Sequence, residues 1–407
     1  MREVAIIGTG MTRFGKFPDK GIKDLVSESV REAMNDAGIE KSDIEAAYVG
    51  SATPGIMTGQ EQIKAQVTLS AMGIEEIPMY NVENACASSS SALNLGWTAV
   101  AAGIHDCVLV VGFEKLFDKD KLKSFMALGT AVDIQNVEQF LKDLQKKYGF
   151  DEGILGEGSG KTRSIFMDMY AYYTKLYMEK TGLTQEHFAK IAVKSHKNGA
   201  NNPHAQYQRE VSLEEVLRSG DVAYPLTRMM CAPIGDGGAA VILCSKEKAA
   251  RYTSKPVWIE GSIVGSGKLN MDLGDTLTKR LAPKVFEMAG VGPEDVDVIE
   301  VHDATSPSEI ITLIELGICP VDEATRWVDK GCIEVEGETP TNTSGGLASK
   351  GHPIGATGLG QVYEIVHQLR GSAGKRQVQA PKVGMTHNGG GILGVDAAAM
   401  ALHIFKR

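Results

Sequence analysis

Four short stretches of the chain carry the side chains that could do covalent chemistry. The first is "NVENACASSSSALNLGWTAVAAG", residues 81–103, where Cys86 stands at the junction of a strand and an Ala/Ser-rich helix. The others are "EVHDATSP" (300–307) with His302, "SGGLASKGHPIGATG" (344–358) with His352, and "MTHNGGG" (385–391) with His387. A cysteine with a spatially adjacent histidine is the arrangement that activates a thiol as a nucleophile. A helix N-terminus directly after Cys86 should lower the thiol pKa further, through exposed N–H groups and the helix dipole. Leu93, Leu95, Trp97 and Val100 are spaced for one buried face of that helix.

Each residue taken alone has a plainer reading. Cys86 could be a small buried apolar side chain, as the other five cysteines (107, 231, 244, 319 and 332) are expected to be. His302 could end a strand against a carbonyl, and His352, between Gly351 and Pro353, could sit in an inert tight turn. His387-Asn388 could be turn residues that tolerate a left-handed backbone. What favours chemistry is their coincidence at the ends of strands in a repeated plan, because ligands in open α/β sheets gather at the carboxyl ends of strands.

The repeat shows in "AMNDAGIEKSDIEAAYVGSATPG" and "VFEMAGVGPEDVDVIEVHDATSP". Each reads as a helix end, a glycine (Gly38 or Gly290), an aspartate five residues on (Asp43 or Asp295), then a strand. Each copy follows a strand candidate, "VAIIGTGM" or "VWIEGSIVG", and each half closes with a glycine turn feeding an apolar strand, "GDGGAAVILCS" or "NGGGILGVDAAAMALHIF". Duplication explains matched spacing and matched endings better than generic strand–helix alternation does. The expected organisation is therefore an α/β chain with one half at about 1–250, the other at about 251–407, and a mostly parallel sheet in each. A charged excursion at about 117–180 reads as an inserted lid or loop domain. Within it "LGEGSGKT" (155–162) imitates a phosphate-binding loop, but Leu155 stands where that motif needs glycine, so nucleotide binding is not expected.

Composition narrows the class. With 407 residues, 43% hydrophobic and 23% charged, the chain can bury a large core and is not disordered. A net charge of −9 argues against a nucleic-acid surface. The six cysteines contain no CxxC pair and no metal-type Cys/His cluster, so they read as reduced thiols rather than a disulfide framework, with no resident metal expected. The N-terminal apolar run breaks at glycine, too short for a signal peptide or a membrane span, and a cytoplasmic location is expected.

These motifs resemble a thiolase, specifically the sterol-carrier-protein or lipid-transfer type, over essentially the full length. "NVENACASSSSA", "HDAT", "GGLASKGHPIGATG" and "HNGGG" carry the resemblance, with support from "SHKNGANNPHAQY" and "YPLTRMMCAPIGDGGAAVIL". It implies the thiolase fold: two duplicated βαβαβαββ halves in a five-layered α-β-α-β-α arrangement with an inserted loop domain. It implies that Cys86 attacks an acyl thioester and becomes acylated. His352 would take the thiol proton, and His302, where other thiolases present Asn, would support the oxyanion hole. Backbone N–H groups of Cys86 and Gly389 would form the second hole, such donors being worth about 3 kcal/mol each. Coenzyme A would be a substrate lying over the lid insertion, with no metal or covalent cofactor. A homodimer core, with a small zinc-ribbon/OB-fold partner subunit, is also implied.

One departure stands out. The family's second, acid/base cysteine is absent: the terminal turn offers His387 and the third position of the "HD" loop offers Ala304. His387 or His352 must then move the proton, or a partner or the substrate must supply what is missing, and an unusual acyl group, branched or aromatic as in benzoylsuccinyl-CoA, is expected. The alternatives are an acetoacetyl-CoA thiolase, a decarboxylating condensing enzyme, a retro-aldolase, and a non-catalytic acyl-CoA-binding subunit.

Overall fold

The computed structural model describes residues 1–136, 163–252, 255–269, 272 and 274–407. The phosphate-loop look-alike at 155–162 lies outside them.

The first half runs β1 (Val4–Met11), α1 (Ile22–Ala37), β2 (Ala46–Gly50), α2 (Lys64–Ser70), β3 (Met79–Val82), α3 (Ser88–Ala101), β4 (Cys107–Glu114) and, after the insertion, β5 (Gly237–Ser245). The insertion supplies α4 (Ile165–Thr181), and α5 (Gln185–Ala200) follows it. The second half runs β6 (Val257–Ser266), α6 (Leu277–Ala289), β7 (Val298–Glu300), α7 (Ser306–Glu315), α8 (Thr357–Arg370), β8 (Val383–Leu393) and β9 (Asp396–Lys406). Strand order is β3-β2-β4-β5-β1 in the first half and β6-β9-β8-β7 in the second. Pairing of Ala5 with Trp258 and Ile6 with Val257 joins them into one nine-stranded sheet.

The sheet is mixed rather than mostly parallel. Only β2 with β3, β2 with β4, and β7 with β8 run parallel. The last strand of each half returns antiparallel: β5 between β1 and β4, and β9 between β6 and β8. The sequence hides this, because an apolar run buried on both faces reads alike in either direction.

Helices α3 and α8 pack against each other and against strands of both halves, forming the central layer, while α1 covers the first half and α6 the second. That is the five-layered arrangement. Along α3, Leu93, Trp97 and Val100 are buried, but Leu95 is 44% exposed. Positions 93, 97 and 100 follow helical spacing, and residue 95 falls on the opposite side.

The repeated Gly-to-Asp spacing has an atomic cause. Gly38 and Gly290 end α1 and α6 with φ of +66° and +63°, where a side chain would be strained. Five residues later, Asp43 accepts the Glu40 N–H at 2.9 Å and Asp295 accepts the Gly292 N–H at 2.8 Å, shaping the same tight turn into the next strand. The second half departs from the first at one point. Where a counterpart of β3 would stand, only a single parallel bridge between Ile299 and Thr341 forms.

Candidate active site

Cys86 lies in a single 3₁₀ turn, Ala85–Ala87, between β3 and α3. The strand ends at Val82, so three residues turn the chain before the thiol. Ala85 is held at φ +48°, and Asn84 braces the turn by donating its N–H to Ser88 Oγ (3.0 Å) and its side-chain amide to Ser91 Oγ (2.8 Å). The "HNGGG" stretch is not a turn but part of β8, pairing Gly389 with Met400 and Gly390 with Ala399. Glycine is required at 390, because a Cβ there would sit 2.1 Å from the Asn84 carbonyl oxygen. The close approach lets β8 run directly past the Cys86 turn.

Cys86, His302 and His352 come together. One donor atom from each lies within 4.8 Å of the others, and the two imidazoles meet edge to face, centroids 5.0 Å apart at 84°. The hydrogen bonds behind the rings assign their tautomers. The Thr357 hydroxyl gives its proton to the Pro353 carbonyl (3.0 Å), so it accepts from His352 Nδ1–H at 2.7 Å. That leaves His352 Nε2 as a bare acceptor. At His302 the order reverses: the Asn388 amide, oriented by Ser90 Oγ at 3.0 Å, donates to Nδ1 at 3.0 Å, so Nε2 carries the proton. One imidazole is a base and its neighbour a donor.

His387 lines the same cavity. Its Nε2 pairs with Thr278 Oγ1 (3.0 Å) and its Nδ1 accepts the His302 backbone N–H (3.4 Å), so both ring nitrogens are engaged. Any proton transfer through His387 has to break one of these bonds.

Burial dominates the electrostatics. It holds His302 down at about 4 and His387 at about 3, the latter with help from His302. Burial, then His302 and Lys350, holds His352 well below the usual imidazole range. All three are neutral at pH 7. The Cys86 thiol is pushed up to about 12, first by burial and then by the Glu114 carboxylate, against the N–H groups of Gly391 and of Cys86 itself. The lowered pKa expected from the helix end is therefore overturned, because desolvation and a buried acid outweigh the amides. The resting site holds a thiol beside a neutral imidazole whose Nε2 is free to accept a proton.

Two contributors escaped the sequence. Glu114, at the end of an apolar strand, accepts from the backbone N–H groups of Ala52 and Thr53 (3.1 Å each), from Thr53 Oγ1 (3.0 Å) and from the Gly355 N–H (3.0 Å). It thereby ties the His352 loop to the first half. Gly391, two residues beyond the expected Gly389, is the residue of β8 whose backbone N–H acts to lower the Cys86 pKa, and its φ of +63° suits glycine. Gly389 lines the cavity.

The cavity above Cys86 has a volume of about 450 Å³. Its walls include Phe125, Leu128, Met169 and Tyr170 from the insertion, with Leu277 and Ile311 from the second half. A thiol and two imidazoles within 4.8 Å of one another are also donors that suit zinc, and all three residues line the cavity. Among the described residues no helix is long and apolar enough to cross a membrane.

A thiol, a neutral imidazole with a bare nitrogen and an imidazole N–H donor come together at the strand ends of a duplicated five-layer fold, an arrangement able to carry out acyl transfer. Residues 4–247 match the thiolase N-terminal domain and residues 268–403 the thiolase C-terminal domain-like family, so the chain belongs to the thiolase family of acyltransferases. It is 38% identical to an acetyl-CoA acetyltransferase of Methanothermobacter thermautotrophicus, with all of both chains aligned. It is 37% identical to human sterol carrier protein 2, over 98% of this chain and 71% of that protein. Among solved structures, an Ltp2-ChsH2(DUF35) aldolase superposes with a TM-score of 0.76 at 24% identity, covering 98% of this chain and 97% of that one. A human mitochondrial 3-ketoacyl-CoA thiolase in complex with CoA gives 0.69 at 18% identity, over 100% and 98%. At those identities the two structures speak for the fold.

Proposed function

We propose that the chain is a CoA-dependent thiolase that cleaves or forms a 3-ketoacyl-CoA through an acyl-Cys86 intermediate. The observation that carries this is the pair of opposed tautomers beside the thiol. His352 Nε2, unprotonated, takes the Cys86 proton as the sulfur attacks the keto carbon. His302 Nε2–H donates to the oxyanion that develops there, and the Gly391 and Cys86 amides serve the carbonyl of the acyl-enzyme. Neutral imidazoles at pH 7 let one residue accept a proton while the other gives only a hydrogen bond.

A cavity of about 450 Å³ leaves room for an acyl group larger than acetyl, which supports a branched or aromatic substrate such as benzoylsuccinyl-CoA. A small zinc-ribbon/OB-fold partner subunit fits this reading, and a protein of the same fold is named as an Ltp2-ChsH2(DUF35) aldolase, with two components in its name. That protein is also named an aldolase, and retro-aldol cleavage is the second reading. Cys86 with its dedicated base argues against it, because an aldol cleavage needs no thiolate.

The deciding experiment is thiolysis of a panel of 3-ketoacyl-CoA esters, with trapping of the acyl-enzyme at low pH. CoA-dependent cleavage with an acyl adduct on Cys86 supports the thiolase. Cleavage that needs neither CoA nor Cys86 overturns it in favour of the aldolase.

A further inference from the structure

Carbon–carbon cleavage needs a group that protonates the departing α-carbon, and neither Ala304 nor the fully engaged His387 offers one freely. The cavity holds another hydroxyl. Of the four tyrosines of α4, Tyr173 donates to the Val395 carbonyl (2.7 Å) and Tyr177 pairs with Glu315 (2.9 Å). These bonds fix the helix against the second half. Tyr170, one turn earlier, lines the same cavity as Cys86, His302 and His352, yet among the described residues its hydroxyl has no hydrogen-bond partner. Cys86 and Asp303 are the charged neighbours that act on it through the shared cavity. Burial raises its pKa, so it stays protonated at rest.

We propose that the Tyr170 phenol is the proton donor and acceptor at the α-carbon. This rests on the thiolase reading above. In cleavage, the Cys86 sulfur bonds to the keto carbon after its proton has passed to His352. The bond between the keto carbon and the α-carbon breaks, its electron pair goes to the α-carbon, and the phenol proton follows it there. The products are acyl-Cys86, the released acyl-CoA and a phenolate. The incoming CoA thiol then gives its proton to the phenolate, its sulfur takes the acyl group, and the Cys86 sulfur leaves and recovers the proton from His352. A phenol of raised pKa suits this cycle, because its phenolate is basic enough to recover a proton from a thiol. Cys231 also lines the cavity and bridges to Thr305 in the His302 loop, but its thiol donates to the Thr227 carbonyl at 3.4 Å. That bond makes it the weaker candidate.

The test separates carbon acid/base work from acyl transfer. Deuterium incorporation at the α-carbon of acetyl-CoA and succinyl-CoA is followed in D₂O, and acylation of Cys86 by the same esters is followed by intact mass. Tyr170→Phe is expected to cut deuterium incorporation by roughly 100-fold or more while Cys86 acylation stays within about threefold of the parent. Retained acylation also reports that the site is folded, and Tyr170→His, which restores an ionisable group, should recover part of the exchange. Deuterium incorporation by Tyr170→Phe within about threefold of the parent overturns the proposal, as does its loss in Cys231→Ala instead. If the parent protein exchanges the α-proton but never acylates Cys86, the thiolase reading itself fails.

Discussion

The two halves share a topology but treat their third strand position in opposite ways. In the first half the strand before the nucleophile, β3, is formed and lies at the sheet edge, with Tyr80 50% exposed and stacked on Tyr48 at 5.0 Å. In the second half the same position is Thr341–Ser344, fully buried and reduced to one bridge. Its carbonyls are satisfied by side chains of α5 and the residues after it: Lys194 to Thr341 (2.6 Å), Asn198 to Asn342 (3.3 Å) and Asn202 to Ser344 (2.8 Å). The second half has its edge closed by a helix of the first. The first half leaves a strand edge open beside the nucleophile, and an open edge calls for a partner strand.

The comparison predicts where each half breaks. The largest effect belongs to the catalytic loops that the two halves contribute. His352→Ala should slow Cys86 acylation by about 10³-fold, since the only free imidazole acceptor at the thiol is lost. His387→Asn should cost much less. Single-turnover acylation measured on both variants checks this, and equal losses would show that His387 carries the proton.

Closing the second edge has its own weak point. Lys194 forms a buried ion pair with Glu309, which also receives the Asn342 amide at 3.0 Å. Lys194→Met leaves Glu309 buried without its cation and should destabilise the fold by about 3–5 kcal/mol, read as a lower denaturation midpoint. If this edge pairs two copies of the chain, Tyr80→Lys should leave the fold intact and weaken that association by at least tenfold, as seen by light scattering across a dilution series. A parent protein that is already monomeric at micromolar concentration would show that the β3 edge is not an interface.

Acid should act on the core between the halves. Burial keeps His302 at about 4, His387 and His403 at about 3, and His352 also low. Below pH 6.5 the unfolded chain binds protons that these residues refuse when folded. Their contribution is therefore fully present above 6.5 and is lost as pH falls toward 4 and 3. Each such group adds a slope of about 1.4 kcal/mol per pH unit within that window, so urea midpoints should fall steeply from pH 6.5 to 4.5.

How far the sequence reveals this site depends on whether a role sits inside a local motif. Cys86, His302 and His352 are each marked by glycine, proline or a strand-to-helix break in their own loop, and the fold brings them within 4.8 Å. Glu114 is unmarked, because a lone acid after "CVLVVGF" looks like the solvent end of a strand, and its four donors come from segments far along the chain. The same distance explains the thiol. A reader of residues 81–103 sees the helix end but not the buried carboxylate that outweighs it. Tyr170 is hidden by its neighbours: with Tyr172, Tyr173 and Tyr177 nearby, only the hydrogen bonds distinguish the free hydroxyl from the tied ones. The reduced third strand of the second half was equally invisible, since its replacement partners lie on α5, about 145 residues earlier.

The thiol's resting state yields a finer prediction. With Cys86 held at about 12 beside a neutral His352, its alkylation by iodoacetamide should keep rising from pH 6 to 9 without the plateau of a preformed thiolate. A plateau beginning below pH 7 would mean that an ion pair exists before substrate arrives.

The most direct measurement is the mass of the intact protein after brief incubation with an acyl-CoA, followed by acid quench and peptide mapping. The account predicts one acyl adduct, on Cys86, that disappears on adding CoA and is absent from Cys86→Ala. An unmodified protein across a panel of acyl chains, or an adduct that persists in Cys86→Ala, would contradict it.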